Sequence, residues 1–295
     1  MRRFSAGREL FPGDVDPDRG HTSFEGRHPL ALHASTTRTS TMTTHRFPIA
    51  IAIVFSMAAA VAAPAAAAAE PAIAAMPAEL EMQFALSAVP APLREKAGVY
   101  VLDPKVGYLR KREASNGIDC VVERTVWEFN DFRDDIYIPL CYDAAGAANY
   151  LRAIMDTAAL RAQGFKPAAL KAEIASRYSN KTYRVPDKAG LSYMVAPIMR
   201  TVGPPDMKVH TMAMPHFMFY APGVSNADIG AVPDLADHAS LLNPFIDKQG
   251  IAEQSYMIQL VGAAEKAKIM SDEKPLIDAL CAYRDVLCLQ SGAHH

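Results

Sequence analysis

The feature that most constrains this chain is an uncharged apolar run, IAIAIVFSMAAAV, at residues 49–61 of its 295 residues. His45 and Arg46 precede it; alanines around Pro64, then Glu70 and Pro71, follow it. A short positive segment, an apolar core and small side chains at a cleavage point are what a secretory signal requires. The core enters the bilayer, and the peptidase takes small residues beside the scissile bond. A permanent membrane anchor is the competing reading, but about 13 strongly apolar residues fall short of the ~20 that span a bilayer. Residues 42–69 are therefore expected to be a signal peptide, and residues 70–295 one domain that ends up periplasmic or secreted. Residues 1–41 are polar without apolar periodicity. They are expected to be an unstructured extension, or untranslated with the true start at Met42.

Charge and cysteine usage narrow the class. The chain carries 30 Lys and Arg against 32 Asp and Glu, and it stays slightly acidic once the signal region is set aside. No basic run is interleaved with aromatics, so the electrostatic footprint of a nucleic-acid binder is missing. No second long apolar segment predicts a membrane span in the mature chain. All four cysteines, Cys120, Cys141, Cys281 and Cys288, lie in the exported part, and an even count there reads as two disulfides. Three pairings are possible. The favoured one joins Cys120 to Cys141 across two strands and Cys281 to Cys288 near the C-terminus. Seven residues of unbroken helix would hold the last two Cα atoms about 10.5 Å apart, beyond the reach of a disulfide. That pair therefore needs the helix to end near Asp285 and the chain to fold back.

The apolar spacing predicts a helix over residues 76–89, a hairpin over 98–102 and 107–111, and strands over 118–127 and 136–142. Helices over 144–163 and 167–178 follow, the second with Pro167 in its first turn. Strands are expected over 191–199, 209–220 and 255–261, with a long connection over 221–250 and a helical end over 263–287. Strands in hairpin order with helices clustered between them predict an α+β fold, a mostly antiparallel sheet with helices packed on one face.

No elbow, Walker, dinucleotide, zincin or EF-hand motif is present. Asp131, Asp134 and Asp135 form an acidic loop that lacks the glycine and terminal glutamate of a calcium loop, so a solvated turn is expected. Ser192 and Ser225 have no partner histidine at readable spacing. Ser271 with Lys274 matches a serine–lysine pattern, but reads better as a helix cap.

The segment over 209–220 carries the main candidate chemistry. Alternation in a strand would put Val209, Thr211, Ala213, Phe217 and Phe219 on one face, suited to a core. His210, Met212, Met214, His216, Met218 and Tyr220 would share the other. Imidazole and thioether suit copper, so His210, Met212, Met214, His216 and Met218 form a candidate soft-metal set. Ordinary packing is the favoured alternative, and Pro215 is expected to interrupt the ladder.

Three stretches resemble an uncharacterised family of exported bacterial proteins. They are Asn116-Gly117 with Cys120 and Arg124, followed by Pro139, Cys141 and Asp143; then Gly190-Leu191-Ser192-Tyr193-Met194; then Pro215 to Pro222 with Asp228-Ile229-Gly230. The resemblance implies no activity, cofactor or partner. The expected function is that of an exported, non-catalytic envelope or binding protein whose ligand or envelope partner is unspecified. The alternatives are copper binding through the His/Met stretch and a periplasmic hydrolase using His216 with Asp228 or Asp234.

Overall fold

A computed structural model describes residues 72–237, 239–248 and 251–289, all within one unit, Ala65–His295. The expected signal peptide and the segment before it lie outside the described residues. The chain runs α1 (Ala78–Ser87), α2 (Ala91–Arg94), β1 (Gly98–Asp103), β2 (Gly107–Arg112), β3 (Asp119–Glu123) and β4 (Ile138–Tyr142). A helical stretch follows: α3 (Ala144–Gly146), a π-helical turn (Ala147–Leu151), α4 (Arg152–Ala162) and α5 (Pro167–Ser179). The second half holds β5 (Leu191–Met194), β6 (Met199–Gly203), β7 (Lys208–Met212), β8 (His216–Tyr220), β9 (Phe245–Lys248), β10 (Ser255–Leu260), α6 (Ala263–Asp272) and α7 (Lys274–Tyr283).

Eight strands form one sheet in the order β2-β1-β3-β4-β5-β8-β10-β9, and β6 pairs with β7 in a separate ribbon. Only β1 and β3 run parallel; every other neighbour is antiparallel. The predicted hairpin is β1–β2. Its turn is closed by Asp103, whose carboxylate accepts from Lys105 N at 2.8 Å, and by Gly107 at φ +101°, a left-handed conformation open to glycine without strain.

The α+β class and the mostly antiparallel sheet hold, but helices cover both faces rather than one. Strand alternation divides the residues. Val99, Cys120, Val122 and Cys141 face α1 and α7, where Phe84, Ala85, Val89, Leu276, Leu280 and Leu287 complete a core. Val121, Ile138, Leu140 and Tyr142 face Tyr150, Leu151 and Ile154 of the π turn and α4. A third cluster ties α4 to α5 through Leu160, Leu170 and Ile174. Among the described residues no helix is long and apolar enough to cross a membrane.

Several expectations need correction. The strand over 209–220 is two strands in two sheets, because Pro215 cannot donate to a ladder and falls between β7 and β8. In β8 the buried residues are His216, Met218 and Tyr220, while Phe219 is exposed. The face expected to be core is thus the more open one. Strand β9 was hidden inside the connection over 221–250. Ser271 caps nothing: it lies within α6, and α7 begins at Lys274 after Glu273 without a side-chain cap.

Both disulfides take the favoured pairing. Cys120 and Cys141 are direct cross-strand partners with Cα atoms 4.0 Å apart. Cys281 and Cys288 approach to 4.4 Å between Cα atoms, because α7 stops at Tyr283, Arg284 is extended, and a 3-10 turn at Asp285–Leu287 folds the chain back. Two disulfides are compatible with an oxidising compartment outside the cytoplasm. The first closes a separation of 21 residues and the second one of 7, so loop entropy ranks them. Replacing both cysteines of the 120–141 pair by serine is expected to lower unfolding free energy by roughly 3 kcal/mol, and of the 281–288 pair by roughly 2 kcal/mol. Urea titrations of the two double variants check the ranking, which equal or reversed losses would refute.

Candidate functional site

Beneath α4 and α5 the sheet leaves a cavity of about 350 Å³, within the size range of small-molecule sites. Its floor is the sheet face that carries Glu123, Leu140, Tyr142, Met194, Met218, Tyr256 and Asp247. Its walls are Tyr150 and Ile154 from the π turn and α4, Tyr178 from α5, and Trp127, Glu128 and Phe129 from the segment between β3 and β4. Glu123 points inward because it is in phase with Val121 on β3, one step beyond an apolar neighbour on the same face.

The π turn places the helical wall. It buries Asn149, Tyr150 and Leu151 in succession; such turns inside helices often mark functional sites. Asp143 starts this stretch with three hydrogen bonds. Its carboxylate accepts from Gly146 N at 2.9 Å, Leu191 N at 2.9 Å and the Tyr220 hydroxyl at 3.0 Å. A side chain on Gly190 would meet the Tyr220 ring at 2.5 Å, and one on Gly146 would overlap its hydroxyl. Small residues are thus required where Tyr220 is seated. Around it the tyrosine rings pack together, with centroids 4.4 Å apart for the tilted pair Tyr150–Tyr256, 5.3 Å for the tilted pair Tyr150–Tyr220 and 6.2 Å for the stacked pair Tyr142–Tyr150.

Two carboxyls and several phenols of this cavity are far from their solution behaviour. Burial drives the Glu123 carboxyl well above the usual range, and the charge of Glu128 pushes the same way. Burial raises Glu128 to about 7; its own backbone amide and Lys171 oppose the rise, and Asp247 adds to it. Burial also pushes up the phenols of Tyr142, Tyr178 and Tyr256, which stay protonated. Two groups are left polar without partners. The Tyr150 hydroxyl and both amide atoms of Asn149 are buried and make no hydrogen bond, a state that costs roughly 1–3 kcal/mol per group.

The segment between β3 and β4 is braced from below. The Arg124 guanidinium, 1% exposed, donates to Ile136 O at 2.7 Å, Asp134 O at 3.1 Å and Ala74 O at 3.4 Å, and lies 3.8 Å over the Tyr137 ring. Lys171 of α5 donates to the Glu128 carbonyl at 2.7 Å. The acidic loop is therefore no solvated turn. Asp135 is paired with Arg133 at 2.8 Å and Arg200 at 2.6 Å, and Asp134 with Arg284 at 2.7 Å, while Asp131 is exposed.

The sequence candidates are dispersed. Met212 and Met218 are buried in one cluster with Met194 and Met199, and Met214 packs against it. His210 lies on the separate ribbon opposite Thr201 and 3.7 Å from Asp206. His216 is 3% exposed, and its Nδ1 stands 2.7 Å from Met214 O. A carbonyl only accepts, so Nδ1 carries the proton and Nε2 is the ring's acceptor. Burial lowers the His216 pKa, against the pull of the Met214 carbonyl and Asp247. Asp228 is exposed and holds Ser225, accepting from its amide at 2.8 Å and its hydroxyl at 2.6 Å; Asp234 is exposed as well. Ser192 is buried, 3.4 Å from the Tyr220 hydroxyl. No group of three or more His, Cys, Asp or Glu placed to hold a metal occurs among the described residues.

Sequence reasoning missed the cavity residues themselves. One signal was available: Glu123 interrupts an otherwise apolar inward face. Nothing in the sequence announces the π turn or the meeting of Tyr142, Tyr150, Tyr178 and Tyr256. Comparison of the chain with protein families, curated proteins and solved structures finds no match.

Glu128 gives the cavity a pH signature. Its folded carboxyl binds a proton more tightly than the unfolded one, so stability is fully present below pH 4.5 and is lost as pH rises from 4.5 to about 7. Glu128→Gln keeps the shape and cannot ionise. Its stability relative to the parent is expected to grow by at most about 3 kcal/mol between the lower and upper ends of that range. Thermal unfolding of both proteins across pH checks this; parallel profiles would refute it.

Proposed function

We propose that this chain is an exported, non-catalytic binding protein and that its ligand occupies the tyrosine-lined cavity. The observation that carries the reading is a cavity of about 350 Å³ that brings Glu123 and Glu128 together with the rings of Trp127, Tyr142, Tyr150, Tyr178 and Tyr256. A preformed, mostly apolar hollow with a few convergent polar groups is the usual form of a small-molecule site. The two disulfides support a compartment beyond the cytoplasm.

The catalytic alternative draws less support. His216 is committed to a backbone carbonyl and Asp228 to Ser225, so neither is paired as a nucleophile's base requires. The copper alternative draws support from the methionine cluster but loses His210 to the other sheet.

Ala153 lines the cavity and is 3% exposed, so a larger side chain there must project into the hollow. The chain released from the periplasm is expected to carry a one-to-one small-molecule mass in native mass spectrometry. Ala153→Phe is expected to lose that mass with both disulfides and the circular dichroism intact. A parent chain released free of adduct would overturn the reading.

A further inference from the structure

A second hollow, of about 770 Å³, lies between the start of the helical stretch after β4 and the segment that follows α5, and it falls within the size range of small-molecule sites. Four cations line it, Arg152 from α4 and Lys181, Arg184 and Lys188 from the segment, against one carboxylate, Asp187. The chain as a whole has slightly more acids than bases, so this excess of positive charge is local. Arg152, Arg184 and Lys188 are exposed and make no hydrogen bond or ion pair among the described residues. The Lys181 ammonium has only Glu253, at 3.9 Å. Other surface cations find carboxylates: Arg177 pairs with Asp156 and Glu173, and Lys274 with Asp278. Lys181 is also held at a conformational cost. Its amide donates to Tyr178 O at 3.1 Å and the Thr182 amide to Arg177 O at 2.9 Å, the closing bonds of a helix end whose left-handed residue is usually glycine. Lys181 takes that place at φ +64°. Glycine would remove the strain there, and with it a charge from the hollow.

These features select among ligands. Like charges gathered around one hollow repel each other, and an anion between them turns that repulsion into attraction. Among the described residues no aromatic ring lines the hollow. Tyr183, between two lining residues, is fully buried and its hydroxyl donates to Asp156 at 2.9 Å, so a nucleobase would find nothing to stack on. The largest apolar side chains in the lining are Val185 and Pro186, too little surface to seat an acyl chain. A carboxylate is planar and fills one guanidinium fork. A phosphate offers oxygens in several directions, which suits guanidinium and ammonium groups arriving from two walls. We propose that this hollow binds neighbouring phosphate groups, as in a diphosphate, between Arg152 on one side and Lys181, Arg184 and Lys188 on the other. Such phosphates come free in solution or on a lipid headgroup, and the chemistry that recognises them is the same.

Isothermal titration calorimetry of the full mature protein at low ionic strength, where exposed charges are least screened, tests this with inorganic pyrophosphate, orthophosphate and citrate. Pyrophosphate is expected to bind roughly tenfold or more tightly than either of the others. Arg152→Gln together with Arg184→Gln is expected to weaken pyrophosphate by about tenfold or more, while Lys96→Gln with Lys105→Gln, exposed elsewhere, leaves it within about twofold. Lys181→Gly is expected to weaken pyrophosphate several-fold and yet raise the melting temperature, because it removes a charge and a strained backbone together. A purely structural lysine would not move the two readouts in opposite directions. Sedimentation with phosphatidylcholine vesicles, with and without phosphatidic acid, separates the sources. Pelleting that needs phosphatidic acid and is lost in the double arginine variant assigns the phosphate to a lipid; pyrophosphate binding without pelleting assigns it to a soluble ligand. This site is separate from the tyrosine-lined cavity, since Ala153 lines that one and Arg152 this one, so Ala153→Phe is expected to leave pyrophosphate affinity unchanged. Citrate as tight as pyrophosphate, binding that survives the double arginine variant, or neither binding nor pelleting would overturn the assignment.

Discussion

The structure turns on one buried guanidinium. Arg124 sits at the end of β3 and reaches Ile136 and Asp134 across the segment that leads into β4, and Ala74 ahead of α1. Its charge is spread over three carbonyl oxygens and the Tyr137 ring, with the buried Glu81 near enough for its own acidity to feel the charge. A cation withdrawn from water carries a penalty of several kcal/mol unless its donors are met, and here they are met by backbone. The backbone is therefore what gets fixed. Residues 125–137 cannot relax outward without stranding Arg124, and these residues carry Trp127, Glu128 and Phe129 into the cavity wall.

The two faces of the sheet do different work. On the face covered by α1 and α7 the core is almost wholly apolar and is cross-linked at Cys120–Cys141. The other face accepts a carboxyl on β3, four phenols and an unpartnered amide and hydroxyl. Each such group lowers stability, and a fold only a few kcal/mol above its threshold tolerates them where the rest of the molecule compensates. The same strands supply both faces, since successive side chains alternate. Cys120 and Val121, or Cys141 and Tyr142, are neighbours in sequence and opposites in role.

Much of this architecture was legible from residue pattern because local physics decides it. The hairpin at Gly107, the helix opened by Pro167, the break at Pro215 and the need for the chain to turn near Asp285 follow from backbone chemistry that holds in any context. What pattern could not give was which face of β8 is covered. Phe217 and Phe219 are the more hydrophobic choice, yet His216, Met218 and Tyr220 are buried, because α4 and the π turn lie on that side. Strand β9 was equally hidden: at four residues, Phe245–Lys248, it is too short for alternation to stand out from a loop. The cavity was invisible for the same reason. Its residues come from strands β3, β4, β5, β8, β9 and β10, the segment between β3 and β4, the π turn, α4 and α5, and only the long-range pairing of β4 through β5 and β8 to β10 brings them together.

That pairing also explains why the candidate chemistry lies away from the His/Met stretch that stands out in the sequence. Methionines gather where irregular space must be filled, and Met194, Met199, Met212 and Met218 occupy the zone where the ribbon β6–β7 leans on the main sheet. Met212 packs so closely on Gly203 that a side chain there would meet its methyl at 2.5 Å. The flexible side chains thus absorb the mismatch between two sheets with different registers. Rigid rings are left to shape the hollow next to them, where Tyr142, Tyr150 and Tyr256 hold one another at fixed distances. A hollow keeps its shape when its walls do not yield, and the molecule places its soft residues at the seam and its stiff ones around the cavity.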